Sequence, residues 1–294
     1  MAVANVDPVR SKSPKATAGS QSTNRTSNGI DIKELLEAGA HFGHQTSRWH
    51  PKMAPYIHSK RDGSHIIDLT KTVEALHHAL EFLVKTASEG KQILLVSTKR
   101  QAKEKVKELA EATGMPYVTQ RWLGGMLTNY NTISGRIKYL VDLENKMISG
   151  ELENRYSKLE VQRFAEQIEV MNHLYSGIKE MPAKPGAVFV LDMLHDIIAV
   201  KEARKLGIPV VGLSDTNVDP SLADYPIPCN DDATKTINLV LSYVQQAIEE
   251  GKSKIKRPAA VTVRPSEKTQ STAKKSTIKE QAIEPKDEVE PVKI

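Results

Sequence analysis

The sequence predicts an α/β protein: a three-layer α/β/α domain on a parallel sheet, interrupted by an inserted antiparallel coiled-coil helical hairpin. Three observations carry this expectation. Ile93-Leu94-Leu95-Val96 and Ala187-Val188-Phe189-Val190-Leu191 are short continuous apolar runs, the pattern of strands covered on both faces. Stretches of helical periodicity separate such runs. Between residues 129 and 176 the pattern changes to two apolar stripes around a polar turn.

Taken in order, Ile30 to Glu37 reads as a short helix ending at Gly39. From Leu69 to Ser88, Val73, Leu76, Leu80, Leu83 and Val84 recur at helical spacing until Gly90. After the strand at 93–96, Thr98 is the expected cap of a basic helix that stops at Gly114-Met115-Pro116. In the hairpin, Tyr130, Ile133, Ile137, Leu140, Glu144 and Met147 step by 3, 4, 3, 4 and 3, and Val161, Phe164, Ile168, Met171 and Tyr175 by 3, 4, 3 and 4. Glu144 is the irregular member of that seam. A helix around Ile197–Leu206, a strand over Ile208–Leu213 and an extended edge at Tyr225-Pro226-Ile227-Pro228 follow. Asp231 or Asp232 then caps a helix running to Glu250. The expected division is a disordered extension over 1–28, a discontinuous α/β domain over 29–128 and 177–251, the hairpin over 129–176, and a disordered basic tail rich in Pro, Lys and Glu over 252–294.

Charge is unevenly placed. Residues 1–29 sum to +3 and residues 252–294 to +5, so residues 30–251 carry −3 of the overall +5. The basic balance therefore belongs to the ends, and bulk charge does not make the middle a nucleic-acid binder. Two local clusters do point that way: four Lys/Arg and no carboxylate from His41 to Arg61, and six Lys/Arg against Glu104 from Lys91 to Lys107. Each also fits a solvated helix face. One cysteine, Cys229, excludes a disulfide framework within the chain. No apolar run spans a membrane. The N-terminal stretch lacks a secretory h-region, while its Arg and Lys leave an organellar transit peptide open.

Gln120 to Tyr130 is the most informative segment: Arg121, Trp122, Gly124-Gly125, Thr128 and Asn129 supply a cation, an indole, a hinge and polar groups, but no activated nucleophile. It reads as a docking surface. Trp122 fits either a wedge between sheet and hairpin or a base-stacking platform, and Gly124 and Gly125 form the step beside it. His41 and His44 invite a metal, but Gly39 and Gly43 argue against a helix there; His41 and Gly43 read as structural, with Gly43 allowing close approach or positive φ. Arg48 to Tyr56 interleaves cations and aromatics in a way that suits RNA. Asp192 and Asp215 follow strands, at the usual ligand crevice of open α/β folds. That leaves a sugar-phosphate-binding domain or enzyme as the alternative, although no phosphate loop, nucleophile elbow or zinc-protease motif is present. No cofactor is expected, and a metal at the sheet edge is left open.

These residues also carry a resemblance. Leu35 to Thr46, Trp49 to Met53, Ile66 to Leu69, Thr98-Lys99-Arg100, Arg121 to Asn129, Lys201-Glu202-Ala203, Asp215-Thr216-Asn217 and Asn230 to Ala233 resemble, in order, the bacterial-type ribosomal protein S-two family of the small subunit. The resemblance implies a Rossmann-like sheet with a protruding hairpin and a structural, non-enzymatic role in translation. It implies 16S-type rRNA and neighbouring small-subunit proteins as partners, with recruitment of the mRNA-binding protein S-one in many bacteria. A cytoplasmic location on the small subunit follows, with an organellar ribosome left open and no obligate homo-oligomer expected. Charge then nominates Arg48, Lys52, Lys99, Arg100, Lys103, Arg121 and Asn129 as contacts, and His41, Gly43, Trp122, Gly124 and Gly125 as the structural junction. The chain departs from the family pattern at Lys158-Leu159-Glu160-Val161, at Tyr175-Ser176-Gly177-Ile178, and in its longer ends.

Overall fold

The computed structural model describes residues 29–255. The expectation of disorder over 1–28, and that over 252–294 from residue 256 onward, lie outside that range; at its start the second is corrected, because Lys252 and Ser253 still belong to the last helix. Helix α1 (Ile32–Ala38) starts where the Asp31 side chain accepts the Lys33 N–H and ends at left-handed Gly39. Strands β1 (Phe42–Gln45), β2 (Ile57–Arg61) and β3 (Ser64–Ile67) follow, then α2 (Leu69–Ser88), β4 (Ile93–Val96), α3 (Lys103–Thr113) and β5 (Tyr117–Val118). Helices α4 (Tyr130–Ile148), α5 (Glu151–Arg155) and α6 (Lys158–Tyr175) come next. The chain closes with β6 (Ala187–Val190), α7 (Ile197–Lys205), β7 (Val210–Ser214), β8 (Tyr225–Pro228) and α8 (Thr234–Ser253).

Five strands form a parallel sheet in the order β5-β4-β6-β7-β8. Side chains alternate across a strand, so each apolar run feeds both faces. Ile93, Leu95 and Phe189 pack with Leu76, Leu83, Leu109, Val240 and Val244 of α2, α3 and α8. Leu94, Val96, Val188 and Val190 pack with Ala199, Val200 and Ala203 of α7 and with Ile133, Ile137 and Leu140 of α4. Each of the Val, Leu, Ile and Phe side chains among them stabilises the fold by about 1.5–3 kcal/mol when fully removed from water. Pro226 and Pro228 sit in β8 because it is an edge strand, where a missing N–H costs no ladder bond.

A second, antiparallel sheet of order β1-β3-β2 was not expected from the sequence. Its strands are short, and β2 is exposed along almost its whole length, so no apolar alternation announces it. Two caps also differ from expectation. Thr98 does not cap α3, which starts five residues later behind Ala102; its hydroxyl and its N–H donate instead to the buried Asp196 carboxylate, at 2.7 and 3.1 Å. Neither Asp231 nor Asp232 caps α8. Asn230 Oδ1 accepts the Asp232 and Ala233 N–H groups just before that helix, and the two aspartates turn toward Lys99.

Burial along α4 and α6 follows the two stripes, with Ile133, Ile137, Leu140, Met171 and Tyr175 innermost and in one apolar cluster with the lower face of the sheet. Glu144 is paired: its carboxylate accepts from Asn172 Nδ2 at 2.6 Å and from Lys179 Nζ at 2.9 Å. The Lys179 and Asn172 hydrogen bonds hold its pKa below the usual glutamate value. Glu144 thus forms a polar lock between α4, α6 and the segment that follows them.

Candidate functional site

The loop from Trp122 to Thr128 is wrapped around one carboxylate. Glu202 lies on the buried side of α7, beside Ala199 and Ala203. Its Oε1 accepts the Trp122 indole N–H at 3.1 Å and the Gly125 N–H at 2.7 Å. Its Oε2 accepts the Leu127 N–H at 3.0 Å and both the N–H and the hydroxyl of Thr128 at 3.1 Å. Burial pushes Glu202 up, but the N–H groups of Thr128, Gly125 and Leu127 and the indole outweigh it and hold the pKa below the usual range. Gly125 adopts φ +88°, which a side chain rarely tolerates, whereas Gly124 shows neither positive φ nor a close neighbour. Trp122 is only 7% exposed and fills the joint between the sheet and α4. Glu202 was not singled out as a site residue; its signal was a glutamate lying in the apolar stripe of an amphipathic helix.

A second constellation occupies the carboxyl edge of the parallel sheet. Ser97 to Lys99 follow β4, Asp192 follows β6, Asp215 follows β7 and Asp231 follows β8, so four loops converge. The strand order reverses between β4 and β6, the point at which open α/β folds ordinarily bind ligands. Here Lys99 Nζ lies 3.2 Å from Asp192, 2.8 Å from Asp231 and 2.7 Å from Asp232. His44 reaches across from β1, with Nδ1 3.0 Å from Asp215 and Nε2 3.5 Å from Asp232. Burial pulls the Lys99 ammonium down, but its hydrogen bonds and charge pairing with Asp231 and Asp232 raise it above the ordinary lysine value. Asp231 is pushed up to about 7, first by burial and then by Asp192 and Asp215. The Asp215 hydrogen bond raises His44.

This edge is filled by its own charges. Four carboxylates occupy Lys99 and His44, so neither of these cations is left free to hold a phosphate. His44, Asp231 and Asp232 bring ligand atoms within 4.8 Å of one another, yet Lys99 already supplies the cation that a metal would. Gly43 belongs to the same joint through close approach: a Cβ there would stand 2.5 Å from Thr216 Cγ2. His41 is held against Phe42 with ring centroids 4.0 Å apart, and burial lowers its pKa.

The nominated contacts fall into two groups. Lys99 is turned inward, and Lys103 Nζ donates to Gln120 at 3.0 Å. Arg48, Arg100, Arg121 and Asn129 are exposed. Lys52 is also exposed but pairs with Asp219 at 2.6 Å, a hydrogen bond that lowers the Asp219 pKa to about 2. Trp49 is half-buried, stacks obliquely on His65 at 5.2 Å and carries Lys60 above its ring at 5.9 Å.

Fold and edge together define an α/β scaffold whose customary ligand crevice is occupied by its own paired side chains. Residues 35–251 match the family described as Ribosomal protein S2, and the chain belongs to that family. It is 49% identical to small ribosomal subunit protein uS2 of Roseiflexus sp. (strain RS-1), over 76% of this chain and 86% of the relative. It is 48% identical to that of Dehalococcoides mccartyi (strain ATCC BAA-2266), over 77% and 92%. With that of Fusobacterium nucleatum subsp. nucleatum it shares 47% identity, over 76% and 90%.

Proposed function

We infer that the chain is a structural constituent of the small ribosomal subunit, binding 16S-type rRNA and neighbouring ribosomal proteins in the cytoplasm and catalysing no reaction. The family match along residues 35–251 carries this reading. The closed crevice supports it, because the alternative sugar-phosphate site would need a phosphate receptor where four carboxylates stand. In this reading the parallel sheet with its flanking helices is a Rossmann-like domain over 29–128 and 177–251. Residues 129–176 form a coiled-coil hairpin that reaches a neighbour. Arg48, Lys52, Arg100, Lys103, Arg121 and Asn129 contact RNA or protein, and Lys99 acts from inside by holding the edge loops together. His41, Gly43, Trp122, Gly124 and Gly125 remain the structural junction. Gradient sedimentation tests the whole reading: the chain is expected to travel with small-subunit particles and to leave them after ribonuclease treatment. Recovery at the top of the gradient, with particles intact, would overturn it.

A further inference from the structure

Beside the closed crevice lies a cavity of about 430 Å³, within the usual span of ligand sites of about 300–1,000 Å³. Its floor is His44, Asp215, Asn230 and Asp232, whose polar atoms are largely engaged with one another, with backbone groups or with Lys99. Its rim is different. Phe42 is 52% exposed although it is a large aromatic, and Gln45 and Arg48 are exposed beside it. Among the described residues, Arg48 has no carboxylate partner and the Gln45 amide no side-chain hydrogen bond.

The backbone explains how these three meet. Residues three apart on a regular strand point to opposite faces. In β1, Phe42 pairs with Ile66 while Gln45 pairs with Ser64, so three steps on one strand answer two on the other. That bulge turns both Phe42 and Gln45 to the cavity. Gly43, inside the bulge, has no room for a side chain against Thr216. The distortion is therefore built in, and it yields a flat apolar face, a planar amide and a guanidinium around one cavity.

We propose that this bulged rim is a receptor for one unstacked nucleotide of RNA, the base on Phe42, its edge read by Gln45, and its phosphate held by Arg48. The chemistry is that of single-strand recognition: aromatic stacking, amide pairing to a base edge and a cation for the backbone. The proposal rests on the rRNA-binding reading above and narrows it to one pocket. A free purine nucleotide offers the same base, edge and phosphate, so the test separates the two sources.

The experiment uses the full chain, assembled into small-subunit particles, with dimethyl sulfate probing of the rRNA. With the unaltered chain, a base protected by the protein is expected. Phe42→Ala should unmask it and weaken binding of the isolated chain to rRNA about ten-fold, as loss of one stacked base does. Phe42→Tyr should restore both, and an unchanged melting temperature in both variants shows that the fold is kept. Gln45→Ala should unmask the same base. If unaltered chain fails to join particles, the ribosomal reading itself fails. If Phe42→Ala joins them with the same affinity and protection pattern, the receptor is overturned. Loss of a cross-link to a neighbouring protein, with base protection intact, also overturns it. Titration with adenosine monophosphate supplies the other arm: binding by the free chain that Phe42→Ala abolishes, with rRNA protection unmoved, would overturn the RNA assignment in favour of a free nucleotide.

Discussion

The two basic clusters look alike in the sequence and behave oppositely in the fold. From Lys91 to Lys107, almost every cation is occupied within the molecule: Lys91 with Glu89, Lys99 with three aspartates, Lys103 with Gln120, Lys105 with Glu108 and Lys107 with Glu111. From His41 to Arg61 Lys52 is tied to Asp219, but the remaining positive charge faces outward. Arg48 lines an open cavity, Lys60 lies over Trp49, and the contact of Arg61 with Asp62 is a 3.6 Å pair of highly exposed groups. A charge count therefore measures how many cations a segment has, and geometry decides how many are left for a partner. Exposed pairs are worth about 0–1 kcal/mol and yield readily to RNA, but Lys99 is held by three carboxylates and does not.

Substitutions of the inward-facing charges should have the largest effects. Glu202→Ala leaves the indole and three backbone N–H groups facing a hole, and is expected to cost on the order of 3–5 kcal/mol. Chemical denaturation of the isolated protein reads it, and Trp122→Ala should fall in the same range and be strongly non-additive with it. The pH dependence has a definite sign. Because the folded Glu202 pKa is depressed, its contribution is present above the unfolded value of about 4.3 and is lost as pH falls through the folded value. An additive double mutant would mean that the loop does not depend on this carboxylate.

Lys99→Met should come next, costing about 3 kcal/mol at neutral pH, the low end for a broken buried pair because Asp232 is partly solvated. Asp231 has the opposite linkage to Glu202. Its pKa is raised, so its favourable contribution is complete below about 3.9 and is lost as pH rises through about 7. The deficit of Lys99→Met should accordingly shrink on acidification. A deficit that grows instead would place Lys99 outside the network.

The smallest effect is the one that bears on RNA. Removing Arg48 and Lys60 together should lower the salt slope of rRNA binding by about 2, and removing Lys105 and Lys107 by less than 1. Equal slopes would return the two clusters to equivalence.

The parallel sheet was legible because a strand covered on both faces must be apolar at every position, as at 93–96 and 187–191. The three-stranded sheet was not, because its exposed face needs no pattern. Asp192 and Asp215 could be placed at the sheet edge, since each follows a strand. Their partner could not: Lys99 lies 93 residues from Asp192, and nothing in spacing distinguishes a lysine that turns in from one that turns out. Glu202 was hidden in the same way, since its donors come from a loop about 75 residues earlier.

The loop around Glu202 has a further meaning. Several N–H groups converging on two oxygens, with a left-handed glycine among them, make the kind of concavity in which proteins hold phosphate or sulfate. This chain carries its own anion to that seat on α7. Although the loop shares the glycine and convergent amides of a phosphate receptor, it is a receptor already filled. The segment that looks most inviting to an RNA backbone turns its N–H groups inward and presents Arg121, Gly124, Thr128 and Asn129 to the outside, with Arg121 as its one cation.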